Sequence, residues 1–406
     1  MLNCVKSAMA GAALVLCLLG APRDALAEDA PLRIGVLTDL SGYLSAATGP
    51  GTVDAARMAV EDFGGTVLGR RIEIVSADHQ NRPDIGSAIA RQWIDQDDVQ
   101  VFTGMGNSAV ALAVHALMKE QNRIGLYVSA ATTLLTGAEC HANGIHWAHD
   151  TYMLGNAVPK GLLDAGVDSW YLIAADYAFG RSLADDMRKV IEDRGGTVVG
   201  TAYHPQATTD FTSFILSAQT SGAKAIAILN AGSDTVNAIK QVNEFAVTDD
   251  GKRLVVGLLL VSDVYALGTQ VAQNIEFSTT FYWGMNEETT QWARRFYERN
   301  QTMPTEAHAG AYSALSHYLK AVDAAGTADT QAVLAKMHEI PINDFYSHDV
   351  TIRQDNRVMR NAYIARVKTP EKQTEPWDLY EIIATIAPED AFRSLEGSDC
   401  SMVKGN

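Results

Sequence analysis

RIGVLTDLSGYLSAATGPGTVDAARMAVEDFGG, residues 33–65, holds one complete strand–loop–helix unit. Arg33–Leu37 is short and apolar, as a buried strand is. Thr38–Gly51 is dense in Gly, Ser and Thr, the chemistry of a loop. A helix follows to Phe63, and Gly64 and Gly65 stop it, because glycine takes the left-handed conformation a helix end needs. The unit then repeats. Arg71–Ser76, Val99–Thr103 and Ile124–Val128 read as strands, with helices at Ile85–Ile94 and Ala109–Lys119 between them. The first of these helices carries apolar residues at the i, i+3, i+4 spacing of a one-sided surface helix. Apolar strands alternating with amphipathic helices predict an α/β fold, a doubly wound parallel sheet covered on both faces.

A second set of units begins after Asp150. Its strands are expected at Trp170–Ala175, Thr197–Ala202, Ala225–Asn230 and Leu254–Val261, with helices at Ser182–Arg194 and Asp234–Phe245. Beyond these, Gln291–Arg299 and Ala309–Ala325 read as helices, and Asp349–Val367 as a strand pair turning at Asp355 and Asn356. No low-complexity linker separates the sets, which predicts two lobes joined by a hinge of several chain crossings.

The first residues read as an export signal. Lys6 precedes the apolar run Met9–Leu19, and Ala25 and Ala27 form a small-residue cleavage pattern before Glu28. Cleavage after Ala27 and a periplasmic destination are expected. A lipid anchor on Cys17 is disfavoured by Leu16 before it. The chain carries 32 Lys and Arg against 48 Asp and Glu; removing Lys6, Arg23 and Asp24 with the signal leaves 30 and 47. Such acidity speaks against nucleic acid and anionic membrane partners, which require basic patches. Two cysteines remain, Cys140 and Cys400, and an isolated pair in an oxidising compartment is expected to bond.

Ligands of open parallel sheets bind beyond the carboxyl ends of the strands. Those loops are Ser41–Tyr43, Gly104–Ser108 and Ser129–Thr133 in the first set, and Asp176–Gly180, Asn230–Asp234 and Ser262–Asp263 in the second. GMGNSA puts Asn107 and Ser108 at a helix start, where free N–H groups and the dipole favour a carboxylate. Ser129–Thr133 adds hydroxyls beside the small residues Ala130 and Ala131. Each segment alone is a plain N-cap; on successive strands they make a carboxylate cradle, with Ser108 and Thr132 as its hydroxyls. Tyr43, Trp147, Tyr177, Phe179 and Tyr282 are candidate pocket walls, Asn230 a candidate polar contact, and Asp263 either an ammonium partner or a cap. CHANGIHWAH (140–149) crowds Cys140, His141, His146 and His149, but its spacing fits no standard zinc site. G-x-S-x-G, H-E-x-x-H, Walker and complete dinucleotide motifs are missing, so neither catalysis nor a cofactor is expected.

Several of these segments resemble the type I periplasmic binding proteins of the branched-chain amino-acid (leucine/isoleucine/valine-binding) class. RIGVLTDLSG leading to AVEDFGG resembles the family's opening strand and helix. FTGMGNSAVALAV, SAATTLLTG and DYAFGRSLA resemble its serine-bearing helix start, its Ala-Ala-Thr segment and its second-lobe aromatic turn. The resemblance implies lobe 1 at 31–149 plus 280–355, lobe 2 at 150–279 plus 356–395, and a tail at 396–406. It implies a monomeric substrate-binding component of an ABC importer, partnered by a membrane permease. Its ligand would be a small carboxylate-bearing solute, an amino acid or an aromatic carboxylate. By the same resemblance, Asn107–Ser108 and Ala130–Thr132 hold the carboxylate and ammonium, Tyr177 or Phe179 is the second lobe's aromatic, and Asp263 lies near the acidic ammonium partner. Asn107 stands where a second serine is common, and Ala148-His149 replaces an Arg-Thr pair. The other function open to this fold is a ligand-sensing domain in signalling.

Overall fold

The computed structural model describes residues 30–248 and 251–404, so the export signal lies outside the described residues. β1 (Leu32–Thr38), β2 (Thr66–Val67), β3 (Arg70–Asp78), β4 (Val99–Gly104), β5 (Ile124–Tyr127) and β6 (Gly144–His146) form a first sheet, ordered β2-β3-β1-β4-β5-β6. All its pairings are parallel except β2 with β3. β7 (Ser169–Ala175), β8 (Thr197–His204), β9 (Ala225–Leu229) and β10 (Arg253–Val256) form a second, wholly parallel sheet ordered β10-β9-β7-β8. Every residue of β9 is buried, because helices cover both faces. Fully burying such an aliphatic side chain contributes about 1.5–3 kcal/mol.

The helix Pro50–Phe63 ends where the spacing predicts, with Gly64 left-handed at φ +104°. The helices Glu287–Asn300 and Glu306–Ala325 pack on it, beside the first sheet. Two antiparallel sheets complete the molecule. β11 (Glu276–Thr279), β15 (Ala362–Val367) and β16 (Tyr380–Ile386) make one; β12 (Ile342–Asp344), β13 (Ser347–Ile352) and β14 (Val358–Met359) make the other. Among the described residues no helix is long and apolar enough to cross a membrane.

Two expected elements are corrected. The run Leu254–Val261 is not one strand: β10 stops at Val256, and Val261 opens the helix Val261–Leu267. Its pairing partner β9 ends at Leu229, and the Asp263 carboxylate accepts from Leu260 N–H at 3.0 Å, which starts the helix instead. Asp349–Val367 is not one hairpin either. β13 and β14 do pair around Asn356, whose φ is +64°, but Ala362–Val367 joins β11 and β16 in another sheet. The expected disulfide is present: Cys140 and Cys400 are bonded, with their Cα atoms 5.4 Å apart.

Candidate functional site

The carboxyl ends of the two parallel sheets face one another, and their loops touch. Beyond β1 the loop is folded around Asp39, which is buried and accepts from Gly42 N–H, Leu44 N–H and Asn81 Nδ2 at 2.6, 2.9 and 2.7 Å. That turn carries Tyr43 across to the second half, where its hydroxyl donates to Gln206 Oε1 at 2.9 Å. Its carbonyl accepts from Ser233 N–H at 3.1 Å. Beyond β4, Gly104 has φ +96°, and a Cβ there would lie 2.7 Å from the Leu37 carbonyl, so the chain can turn this tightly only with glycine. The turn delivers Asn107 and Ser108 to the start of the helix Ser108–Glu120.

Asn107 is the N-cap. Its Oδ1 accepts from Ala109 and Val110 N–H at 3.0 and 3.3 Å, and its Nδ2 donates to Gln206 Oε1 at 2.8 Å. The helix start is therefore capped by its own side chain, and those two N–H groups are spoken for. Ser108 Oγ accepts from Ala131 and Thr132 N–H only at 3.3 and 3.4 Å, long contacts that a better acceptor would displace. Thr132 Oγ1 is 2.7 Å from Ser182 Oγ and accepts from Leu134 N–H at 3.3 Å. Ala130 and Ala131 are buried and bring backbone rather than side chain to the junction.

From the second half, Tyr177 precedes the helix Ala178–Asp193 and meets the Tyr43 hydroxyl. Burial, and then that contact with its neighbouring charges, raises the Tyr43 phenol well above its usual range. Asn230 Oδ1 lies 2.7 Å from His204 Nε2. Asp234, buried in the first turn of the helix Ser233–Glu244 that follows β9, accepts from Ala207 N–H at 3.0 Å through Oδ2, while its Oδ1 has no hydrogen-bond partner among the described residues. Burial pushes its carboxyl up to about 7. Among these junction residues there is no Lys or Arg, while Asp39 and Asp234 supply acid.

Tyr43, Asn107, Ser108, Ala130–Thr132 and Tyr177 are thus brought to one junction, with Asn230 at its second-half wall. Phe179 instead packs into the second half's apolar core, its ring 5.9 Å from that of Tyr177. Trp147 is fully buried in the first core and donates to Ser313 Oγ at 3.1 Å. Tyr282 is likewise a core ring, its hydroxyl donating to the Trp377 carbonyl at 3.1 Å. Asp263 is occupied with its own helix cap, and burial pushes it, too, up to about 7. Sequence reasoning did not single out Gln206, Asp234, Ser182 or Asn81. Gln206 follows β8, which runs to His204 rather than to Ala202, and Asn81 follows β3; these are two strand ends whose loops the sequence reading does not include.

Comparison with known proteins completes the description. The model of a family described as periplasmic binding protein matches residues 31–374. A periplasmic binding protein of Burkholderia mallei has a similar structure, with TM-score 0.90 and 37% identity over 92% of this chain and 99% of that one. A branched-chain amino-acid ABC transporter periplasmic ligand-binding protein of Burkholderia xenovorans LB400 matches at TM-score 0.80 and 36% identity, covering 92% of this chain and 100% of the other. The Leu/Ile/Val-binding protein homolog 6 of Brucella melitensis biotype 1 is 24% identical over 305 residues, 73% of this chain and 76% of that protein.

Proposed function

The chain belongs to the periplasmic binding protein family, and on that premise we propose that it is the substrate-binding component of an ABC importer, capturing a carboxylate-bearing amino compound at the junction of its strand-end loops. Members of this family and the neighbours above are solute-binding proteins rather than enzymes, and they act in the periplasm. Export with cleavage after Ala27, a monomeric state and delivery to a membrane permease are parts of the same reading. So is the division into lobes at 31–149 plus 280–355 and 150–279 plus 356–395, closing on the solute.

The observation that carries the reading is the pairing of opposite chemistries across one junction. On the first side are the Ser108 hydroxyl and the N–H groups of Ala131 and Thr132, held in weak mutual contacts. They suit a carboxylate, which would replace long bonds by charge-assisted ones of roughly 1.5–3 kcal/mol each. On the second side Asp234 presents an unpaired carboxylate oxygen, which suits an ammonium. An aromatic carboxylate without an amino group satisfies the first side and leaves Asp234 unpaired. That favours an amino acid over a benzoate-like solute, and a transport role over the sensing role the fold also serves.

The test is calorimetric titration with branched-chain amino acids and with benzoates, against wild type and Ser108→Ala. Amino acids should bind, and Ser108→Ala should weaken them about tenfold, or roughly 1.4 kcal/mol. Ser108→Ala is cleaner than Thr132→Val, because Thr132 also caps Leu134 and meets Ser182. Preferential benzoate binding overturns the amino-compound reading; a silent Ser108→Ala overturns the cradle.

A further inference from the structure

Away from the strand-end loops, the segments that carry the chain between the two halves converge on a buried charged cluster. The segment after β6 contributes His149 and Asp150, the one after β11 contributes Thr280, and the one between β14 and β15 contributes Arg360, with Arg357 at the edge of β14. Arg357 also bridges to His146 at the end of β6. Arg357 is 0% exposed and Arg360 is 3% exposed. None of the guanidinium nitrogens of either residue has a hydrogen-bond partner among the described residues. The two groups lie instead on aromatic faces: Arg357 Cζ is 4.0 Å from the Phe392 ring centre, and Arg360 Cζ is 3.8 Å from that of Tyr346.

The nearby acids are engaged elsewhere. Glu306 Oε2 accepts from Thr280 N–H and Oγ1 at 2.9 and 2.7 Å, and Oε1 lies 2.7 Å from His149 Nδ1. Asp150 Oδ1 caps its helix through Met153 N–H at 2.8 Å, and its Oδ2 is 3.8 Å from Arg357 Nε, an ion pair without a hydrogen bond. Two guanidiniums together offer about ten N–H donors, and leaving buried ionic donors unmet is among the most expensive arrangements in a protein. A cation–π contact recovers only part of that penalty. Burial pushes the Arg357 guanidinium down to about 10, which still leaves it charged at neutral pH. An opening lies alongside. Arg360 lines a cavity of roughly 340 Å³ with Ser347, whose buried Oγ is also without a hydrogen-bond partner; exposed His348, Asp349 and Glu389 stand at its mouth.

We propose that Arg357, Arg360 and Ser347 form a second binding site, taking a small monoanion of halide or formate size that braces the crossing segments. A neutral water would answer some of the donors but none of the like-charge repulsion between the two arginines; a monoanion answers both. The acidic mouth, with Asp349 and Glu389, disfavours polyanions. The site is separate from the strand-end junction, so both are expected to be filled at once.

The test uses the mature chain without any organic solute, titrated with sodium bromide or formate at constant ionic strength made up with a bulky sulfonate. Wild type should show a saturable rise in melting temperature, and bromide-soaked crystals should show an anomalous peak between Arg357 and Arg360. Arg360→Gln should lose the plateau; Ser347→Ala, which removes no charge and is the milder change, should raise the half-saturating concentration severalfold. A rise that is linear and identical for all anions, or crystals with no bromide peak there, overturns the proposal. Once a transported solute is in hand, its binding should leave the bromide plateau unchanged. Strict competition would overturn the assignment of a separate site. None of these outcomes bears on solute capture at the strand-end junction, which the titration does not probe.

Discussion

Two polar regions sit between the halves of this molecule, and they are built on opposite plans. At the strand-end junction the contacts are mostly neutral and exchangeable: Tyr43 and Asn107 both donate to Gln206, and Thr132 meets Ser182. In the cluster at the crossing segments the groups are ionic and buried, with Glu306 bound to Thr280 and His149, and Arg357 and Arg360 stacked on aromatic rings. Neutral hydrogen bonds of about 1 kcal/mol net can be traded for bonds to a solute with little penalty. Buried ion pairs cannot be parted so freely, because each partner left behind is an uncompensated charge. The first region therefore suits exchange, and the second suits holding the crossings in register.

Substitutions should separate the two plans by size of effect. The largest is expected from Glu306→Ala, which strands His149 and Thr280; equilibrium denaturation should show a loss of about 3–5 kcal/mol. Cys400→Ser comes next, at about 2–5 kcal/mol in the same measurement, since the bond closes a loop spanning 260 residues. Asn107→Ala removes a helix cap from the junction and should lose only about 1 kcal/mol. If Asn107→Ala proves as damaging as Glu306→Ala, the contrast between the regions fails.

A further expected effect concerns pH. Asp263 is raised by burial to about 7 from an unfolded value of 3.8, so the folded chain holds its proton where the unfolded chain has lost it. Its contribution to stability is therefore fullest below about pH 4 and declines as pH rises toward 7. Asp263→Asn should flatten that part of the stability profile in pH-dependent denaturation. An unchanged slope would mean that Asp263 is ionised when folded.

The alternation from Arg33 to Val128 was legible because β1, β4 and β5 are buried on both faces and the helices on one, so periodicity and burial coincide. It failed at Leu254–Val261, where one apolar run serves a strand and then a buried helix start, and only Asp263 marks the change. The loop residues Tyr43, Asn107, Ser108 and Thr132 could be found from strand ends alone. Asp263 and Trp147 qualify as candidates by residue type, which does not report direction: one turns back to cap its helix, and the other points into the core. Arg357 and Arg360 gave no local signal, since what makes them unusual is burial by separate segments that the fold brings together, those of Asp150, Tyr346 and Phe392.

The central claim, an amino compound held between the Ser108 side and Asp234, is tested most directly by the proton count of binding. Asp234 is held at about 7 by burial, so near pH 6.5 a good fraction of it is protonated. An ammonium favours the ionised form, so binding should release protons and tighten as pH rises from about 5.5 to 8. Calorimetry of an amino acid in two buffers of different ionisation enthalpy should read that release, and Asp234→Asn should abolish it with a loss of affinity of tenfold or more. Proton uptake on binding, or affinity that Asp234→Asn leaves intact, would contradict the account.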